Sequence, residues 1–117
     1  MATAELLVGT DVLIDHLRGE RRLHGEGRRL GVSVVSRCEL FAGRDQPGVL
    51  RDLLCAMIEL PIDSAIAELA GVTRRETGIA TPDALIAATA LMHRIPLMTR
   101  NRRHFQPVSG LQVLAPR

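Results

Sequence analysis

The chain has 117 residues, of which 46% are hydrophobic and 24% charged, a globular composition of one ordinary domain's length that excludes disorder. Its 15 basic residues are all arginine and face 13 acidic ones, for a formal net charge of +2. With no lysine anywhere, P-loop nucleotide hydrolases, Schiff-base enzymes and response-regulator receivers are excluded, because their chemistry needs an ammonium group.

Leu6 to Val8 is a short apolar run that predicts a strand ending at Gly9-Thr10, and Thr10 predicts the N-cap of a helix over 11–18 closed by Gly19. A second, charged helix is expected over 20–30. Gly31 leads into a β-branched strand over 32–35. Ser36-Arg37-Cys38-Glu39 has capping-box spacing and opens a short helix ending near Gly43. Pro47 begins a helix through 59, and Asp63-Ser64 precedes a longer one to 76. Thr81-Pro82-Asp83 supplies a cap, a proline at the first helical position and an acid in the first turn. The helix that follows, to Arg94, is apolar almost all round and is expected to be buried. Pro96 ends it, Leu97 to Thr99 forms a strand, and Leu111 to Leu114 a last one. Strands alternating with helices predict an α/β fold: a three-layer sandwich with a short central, mostly parallel sheet flanked by helices, residues 1–117 forming one domain.

Cys38 and Cys55 lie in apolar stretches without a CxxC and are read as reduced core thiols, a disulfide being the alternative. The first eight residues carry Glu5 and no basic region, so no secretory signal is expected. The uncharged stretch Ala84 to Met92 is about half of what a spanning helix needs. A cytoplasmic protein with no membrane partner is the expectation.

In such folds ligands collect outside the carboxyl ends of the strands. The strand at 6–8 runs into Asp11, the strand at 32–35 into Glu39, the strand at 97–99 into Asn101, and Asp83 starts the buried helix. Carboxylates sharing one site repel unless a cation is present, and Mg²⁺ or Mn²⁺ suits an all-oxygen set that also meets phosphate. No acid follows Asp83, whereas Arg100-Asn101-Arg102-Arg103-His104 is a candidate phosphate-binding loop, since a guanidinium grips two oxygens at once. An oxygen-ligated metal beside an arginine loop describes phosphodiester hydrolysis. With no Trp or Tyr and only Phe41 and Phe105, nucleic-acid contacts are expected at the backbone rather than by base stacking. Plainer readings stand beside these: Glu39 completing the capping box, Asp83 serving the helix dipole, Asp11 as a first-turn acid, Asn101 as a turn residue and the arginines as a solvated turn. Asp15 is read as structural, paired with Arg18.

Four segments resemble the PIN-domain ribonucleases, and specifically the VapC toxins: Leu7 to Asp15, Val32 to Gly43, Thr81 to Ala90 and Leu97 to Phe105. Pro82-Asp83-Ala84-Leu85-Ile86-Ala87-Ala88-Thr89-Ala90 carries the likeness most specifically. The resemblance implies a Mg²⁺-dependent endoribonuclease that halts translation by cutting tRNA or rRNA, a VapB-type antitoxin as partner, and a homodimer. It implies that Glu39 and Asp83 are metal-site acids and that Asn101 is the asparagine of the last motif; Arg100, Arg102 and Arg103, from the reading of the arginine loop itself, are expected to steady the RNA backbone. Two positions depart from the pattern. The family's first metal-binding aspartate is here Gly9, leaving Glu39, Asp83 and Asp11 to hold an ion, and the acid before the last phenylalanine is His104. Gly9 implies either a weakened toxin or a catalytically silent, antitoxin-binding module. Its origin is read as drift in the gene or, favoured here, as a one-base change that spares the host. A DNA-directed 5′ nuclease is disfavoured because the chain lacks segments to thread and grip DNA.

Overall fold

A computed structural model describes residues 3–117. The elements run β1 (Leu6–Val8), α1 (Thr10–Leu17), β2 (Leu30–Ser33), α2 (Val34–Phe41), α3 (Pro47–Cys55), β3 (Ile58–Leu60), α4 (Ser64–Thr77), α5 (Thr81–His93), β4 (Leu97–Met98), α6 (Arg102–Phe105) and β5 (Val113–Leu114). The five strands form one sheet in the order β3-β2-β1-β4-β5, and every pairing is parallel.

β1 sits at the centre, and its three residues are buried because each face of the sheet is covered. Successive side chains alternate between those faces. Leu7 packs with Ile66, Ala70, Ala87 and Leu97 on the α4/α5 side, while Leu6 and Val8 pack with Leu13, Leu40, Leu50 and Leu54 on the other. α5 is buried through Ala84, Ala87, Ala88 and Ala90, all at 0% exposure, and their small side chains let the helix approach the sheet closely. Asp63 caps α4 by accepting from the Ile66 N–H at 2.8 Å, and Gly78 ends it at φ 78, where a side chain would be strained.

Several sequence expectations need correction. Residues 20–30 form no helix: Glu26 and Gly27 both take positive φ, and the Glu20 and Arg21 N–H groups turn back to the Asp15 carbonyl. α2 starts three residues early, capped by Ser33 instead of Ser36, with the Ser33 Oγ accepting from the Val35 N–H at 3.0 Å; Ser36 therefore lies inside the helix and the box with Glu39 does not form. The second strand correspondingly covers Leu30–Ser33 rather than 32–35. The helix from Pro47 stops at Cys55, and Ile58–Leu60 is an edge strand, because this apolar stretch pairs with β2 instead of continuing a helical face. Thr10 and Thr81 are first helical residues rather than caps, and the last strand is shorter than 111–114. Cys38 and Cys55 are exposed free thiols, not core ones, since each sits on the outer face of its helix. Among the described residues no helix is long and apolar enough to cross a membrane.

Candidate active site

The chain leaves β1 toward β2 on one side and returns to β4 on the other, so the strand order reverses beside β1. Crevices outside the carboxyl ends of strands at such a point are where ligands bind in open α/β sheets. Here the crevice is a cavity of ≈ 230 Å³ whose wall includes Gly9, Asp11, Glu39, Asp83, Asn101 and His104. Four of the predicted site residues, from four distant parts of the chain, thus meet at one place.

Each acid already has a protein partner. The Thr10 hydroxyl donates to Glu39 Oε1 at 2.7 Å, and since it has a single proton, the Ser36 hydroxyl, 2.8 Å away, donates to Thr10. His104 Nε2 lies 2.7 Å from Asp83 Oδ2, and its ring stands edge-on to Phe105. Asp83 occupies the first turn of α5, where the helix N-terminus favours negative charge. Asp11 points to the β4–α6 turn: it accepts from the Thr99 hydroxyl at 3.0 and 3.1 Å and from the Arg100 N–H at 2.9 Å. Its oxygens therefore tie α1 to that turn, and they do not replace the carboxylate absent from position 9.

Gly9 is buried, and its N–H donates to the Met98 carbonyl at 2.8 Å. A Cβ added there would stand 2.8 Å from Asp11 Oδ1 and 2.9 Å from the Met98 carbonyl oxygen, so the end of β4 packs against position 9 too tightly for a side chain to enter without a shift. Among the described residues no group of three or more His, Cys, Asp and Glu side chains comes together in an arrangement able to hold a metal ion. The side chains present therefore do not fit the three-carboxylate magnesium centre that the sequence resemblance implies.

Arg100 differs from the sequence reading. Its Nε lies 2.7 Å from Asp15 Oδ2 and its Nη2 3.2 Å from Asp15 Oδ1, a two-pronged pair, with Asp11 3.9 Å from Nε. Asp15, buried to 3% exposure, is paired with Arg100 and not with Arg18. The hydrogen bond from Arg100 to Asp15, reinforced by its charge and that of Asp11, raises the guanidinium above its ordinary pKa. Arg102 and Arg103 remain exposed and line the wall of a neighbouring cavity at α6. Sequence reasoning noted Thr99 as a strand-end hydrogen-bonding group beside the acids and read Asp15 as structural, but it missed the hydroxyls of Thr10 and Ser36 and the true partner of Asp15. The Asp15 signal was present: Asp11 and Asp15 stand one turn apart on one face of α1 and converge on a single arginine.

The PIN domain family matches residues 6–111. Ribonuclease VapC19 of Mycobacterium tuberculosis is 32% identical over 120 residues, an alignment covering 91% of this chain and 96% of the relative. A toxin-antitoxin complex from Klebsiella pneumoniae contains a chain 31% identical, with a TM-score of 0.81 over 94% of this chain and 96% of that one. VapBC2 from Rickettsia felis, solved bound to a DNA fragment from its promoter, has the same TM-score at 16% identity over 96% and 98% of the two chains, a likeness of fold alone.

Proposed function

The chain belongs to the PIN-domain family, in its VapC-type branch, and on that premise we propose that it is the toxin of a toxin–antitoxin pair. In this reading it is an endoribonuclease by descent, directed at tRNA or rRNA in the cytoplasm, acting as a homodimer and held by a VapB-type antitoxin, with cleavage weakened by Gly9. The observation that carries it is the cleft itself, which gathers Glu39, Asp83 and Asn101 at the switch point while position 9 supplies no side chain. Mg²⁺, with Mn²⁺ as substitute, is the cofactor proposed for the competent form of the site, in which position 9 is an acid.

The chain's own groups account for how an RNA phosphate would be received. Thr10 fixes one carboxylate and His104 the other, and a donor on each offsets the repulsion between two anions facing one cavity. Asn101, exposed at the rim, offers neutral donor and acceptor groups, and Arg102 and Arg103 offer exposed guanidinium forks for the backbone. That no three-ligand group forms among the described residues favours a second reading, in which the chain is a catalytically silent module that binds an antitoxin.

Incubation of total RNA with the chain in Mg²⁺ and in EDTA tests the enzymatic reading. The expected result is cleavage by the Gly9→Asp form that is lost in EDTA and abolished when Asp83→Asn is added; cleavage that survives Asp83→Asn overturns the site assignment. Arg102→Ala/Arg103→Ala is expected to weaken RNA binding across sequences. It should also flatten the salt dependence by roughly 1.4 in the log–log slope, about 0.7 for each single-strand phosphate that is no longer neutralised. An unchanged slope removes these two arginines from the interface.

A further inference from the structure

The small cavity at the switch point does not stand alone. It shares Ile14 and Glu39 with a second cavity between α1 and the end of α2, and it shares Phe105 with a third beside α6 and β5. The central cavity, at ≈ 230 Å³, falls below the about 300–1,000 Å³ typical of small-molecule sites, whereas its neighbours, at ≈ 450 and ≈ 510 Å³, fall inside it. The centre therefore has room for a phosphate and its neighbours for a nucleoside each. Arg102 and Arg103 flank one side; Arg18 and Arg44 flank the other. Arg18 and Arg44 are exposed, and among the described residues neither forms an ion pair. Asp45 stands at the rim of their cavity, with Leu40 in its wall.

Resting on the ribonuclease reading, the geometry points to a binding track for single-stranded RNA in which Arg18 and Arg44 form a second phosphate subsite, across the cleft from Arg102 and Arg103. The nucleosides on either side of the central phosphate occupy the two larger cavities. Base-paired nucleosides cannot turn outward into separate cavities, so the track selects unpaired RNA. Grip comes from the backbone, since Phe105 is buried and Phe41, exposed with Arg51 5.5 Å from its ring centroid, lines none of the three cavities.

The test measures fluorescence anisotropy of a labelled single-stranded octaribonucleotide, and of the same sequence in a duplex, with the full chain. The single strand is expected to bind at least about tenfold more tightly than the duplex. Arg18→Ala/Arg44→Ala is expected to lose roughly tenfold in single-strand affinity and about 1.4 in salt slope, as two phosphate contacts require. A charge-matched Arg22→Ala/Arg75→Ala variant is expected to change affinity less than twofold. Equal binding of the duplex, or equal weakening in both double variants, overturns the track. Single-strand binding that ignores Arg18→Ala/Arg44→Ala overturns the subsite and leaves the ribonuclease reading standing. Failure of both this chain and its Gly9→Asp form to bind any RNA overturns the ribonuclease reading itself.

Discussion

Gly9→Asp is expected to raise Mg²⁺-dependent RNA cleavage by at least about 100-fold over the chain as it stands. Groups that merely orient a metal ligand are worth roughly 10–100-fold when removed, so restoring a direct ligand sets a floor at the upper end of that range. The substitution also has a structural consequence. Its Cβ would arrive 2.8 Å from Asp11 Oδ1 and 2.9 Å from the Met98 carbonyl oxygen. The Asp11 carboxylate can swing aside, but Met98 is backbone and must retreat with the end of β4. Overpacking of this kind costs about 1–3 kcal/mol, so the more active variant should melt at a lower temperature than the parent. Cleavage of total RNA by the two forms, in Mg²⁺ and in EDTA, reads the first effect, and thermal denaturation the second. Cutting by Gly9→Asp alone, only with Mg²⁺, marks a toxin disarmed at one position. If neither form cuts, the antitoxin-binding module becomes the better account.

The ease of reading differed along the chain for physical reasons. The parallel sheet and its covered faces followed from short apolar runs alternating with amphipathic helices, and β1 and α5 announce themselves because β1 and the middle of α5, from Ala84 to Ala90, are almost entirely buried. β3 did not, because Leu53 to Leu60 is an apolar stretch too short for its period to separate helix from strand, and only pairing with β2 decides it. Residues 20–30 read as a charged helix until their turn geometry is seen: Glu26 and Gly27 take positive φ, and no continuous apolar face exists to hold a helix down. At the site, Asp11, Glu39, Asp83 and Asn101 were traceable because strand ends are predictable places. Their partners were not, since a threonine hydroxyl at position 10 meets Glu39 only through the packing of α1 on α2, 29 residues apart. Asp11 illustrates the limit most clearly: its position in the cleft was legible, its engagement by Thr99 and Arg100 was not.

Arg100 separates a phosphate ligand from a structural strut, and its replacement is expected to weaken the fold rather than the grip on RNA. Asp15 is buried, with its side chain 5% exposed, and both its oxygens receive hydrogen bonds from the Arg100 guanidinium. Arg100→Ala would strand that carboxylate without its cation. The melting temperature should then fall by roughly 5–10 °C, the scale set by leaving one buried charged group unsatisfied in a domain of this size. Removing both charges should do less harm than removing one, because the penalty lies in the uncompensated anion and not in the absent attraction. Arg100→Met/Asp15→Leu is therefore expected to recover most of the drop in melting temperature. The pair should hold across physiological pH. A guanidinium raised above its ordinary pKa contributes stability that is fully present below that ordinary value and is lost only at higher pH. RNA binding supplies the second readout: the salt slope should stay at the parent value in Arg100→Ala while it falls in Arg102→Ala/Arg103→Ala. An undiminished melting temperature together with a flattened slope would return Arg100 to the RNA-contacting set and leave Asp15 to be satisfied by some other donor.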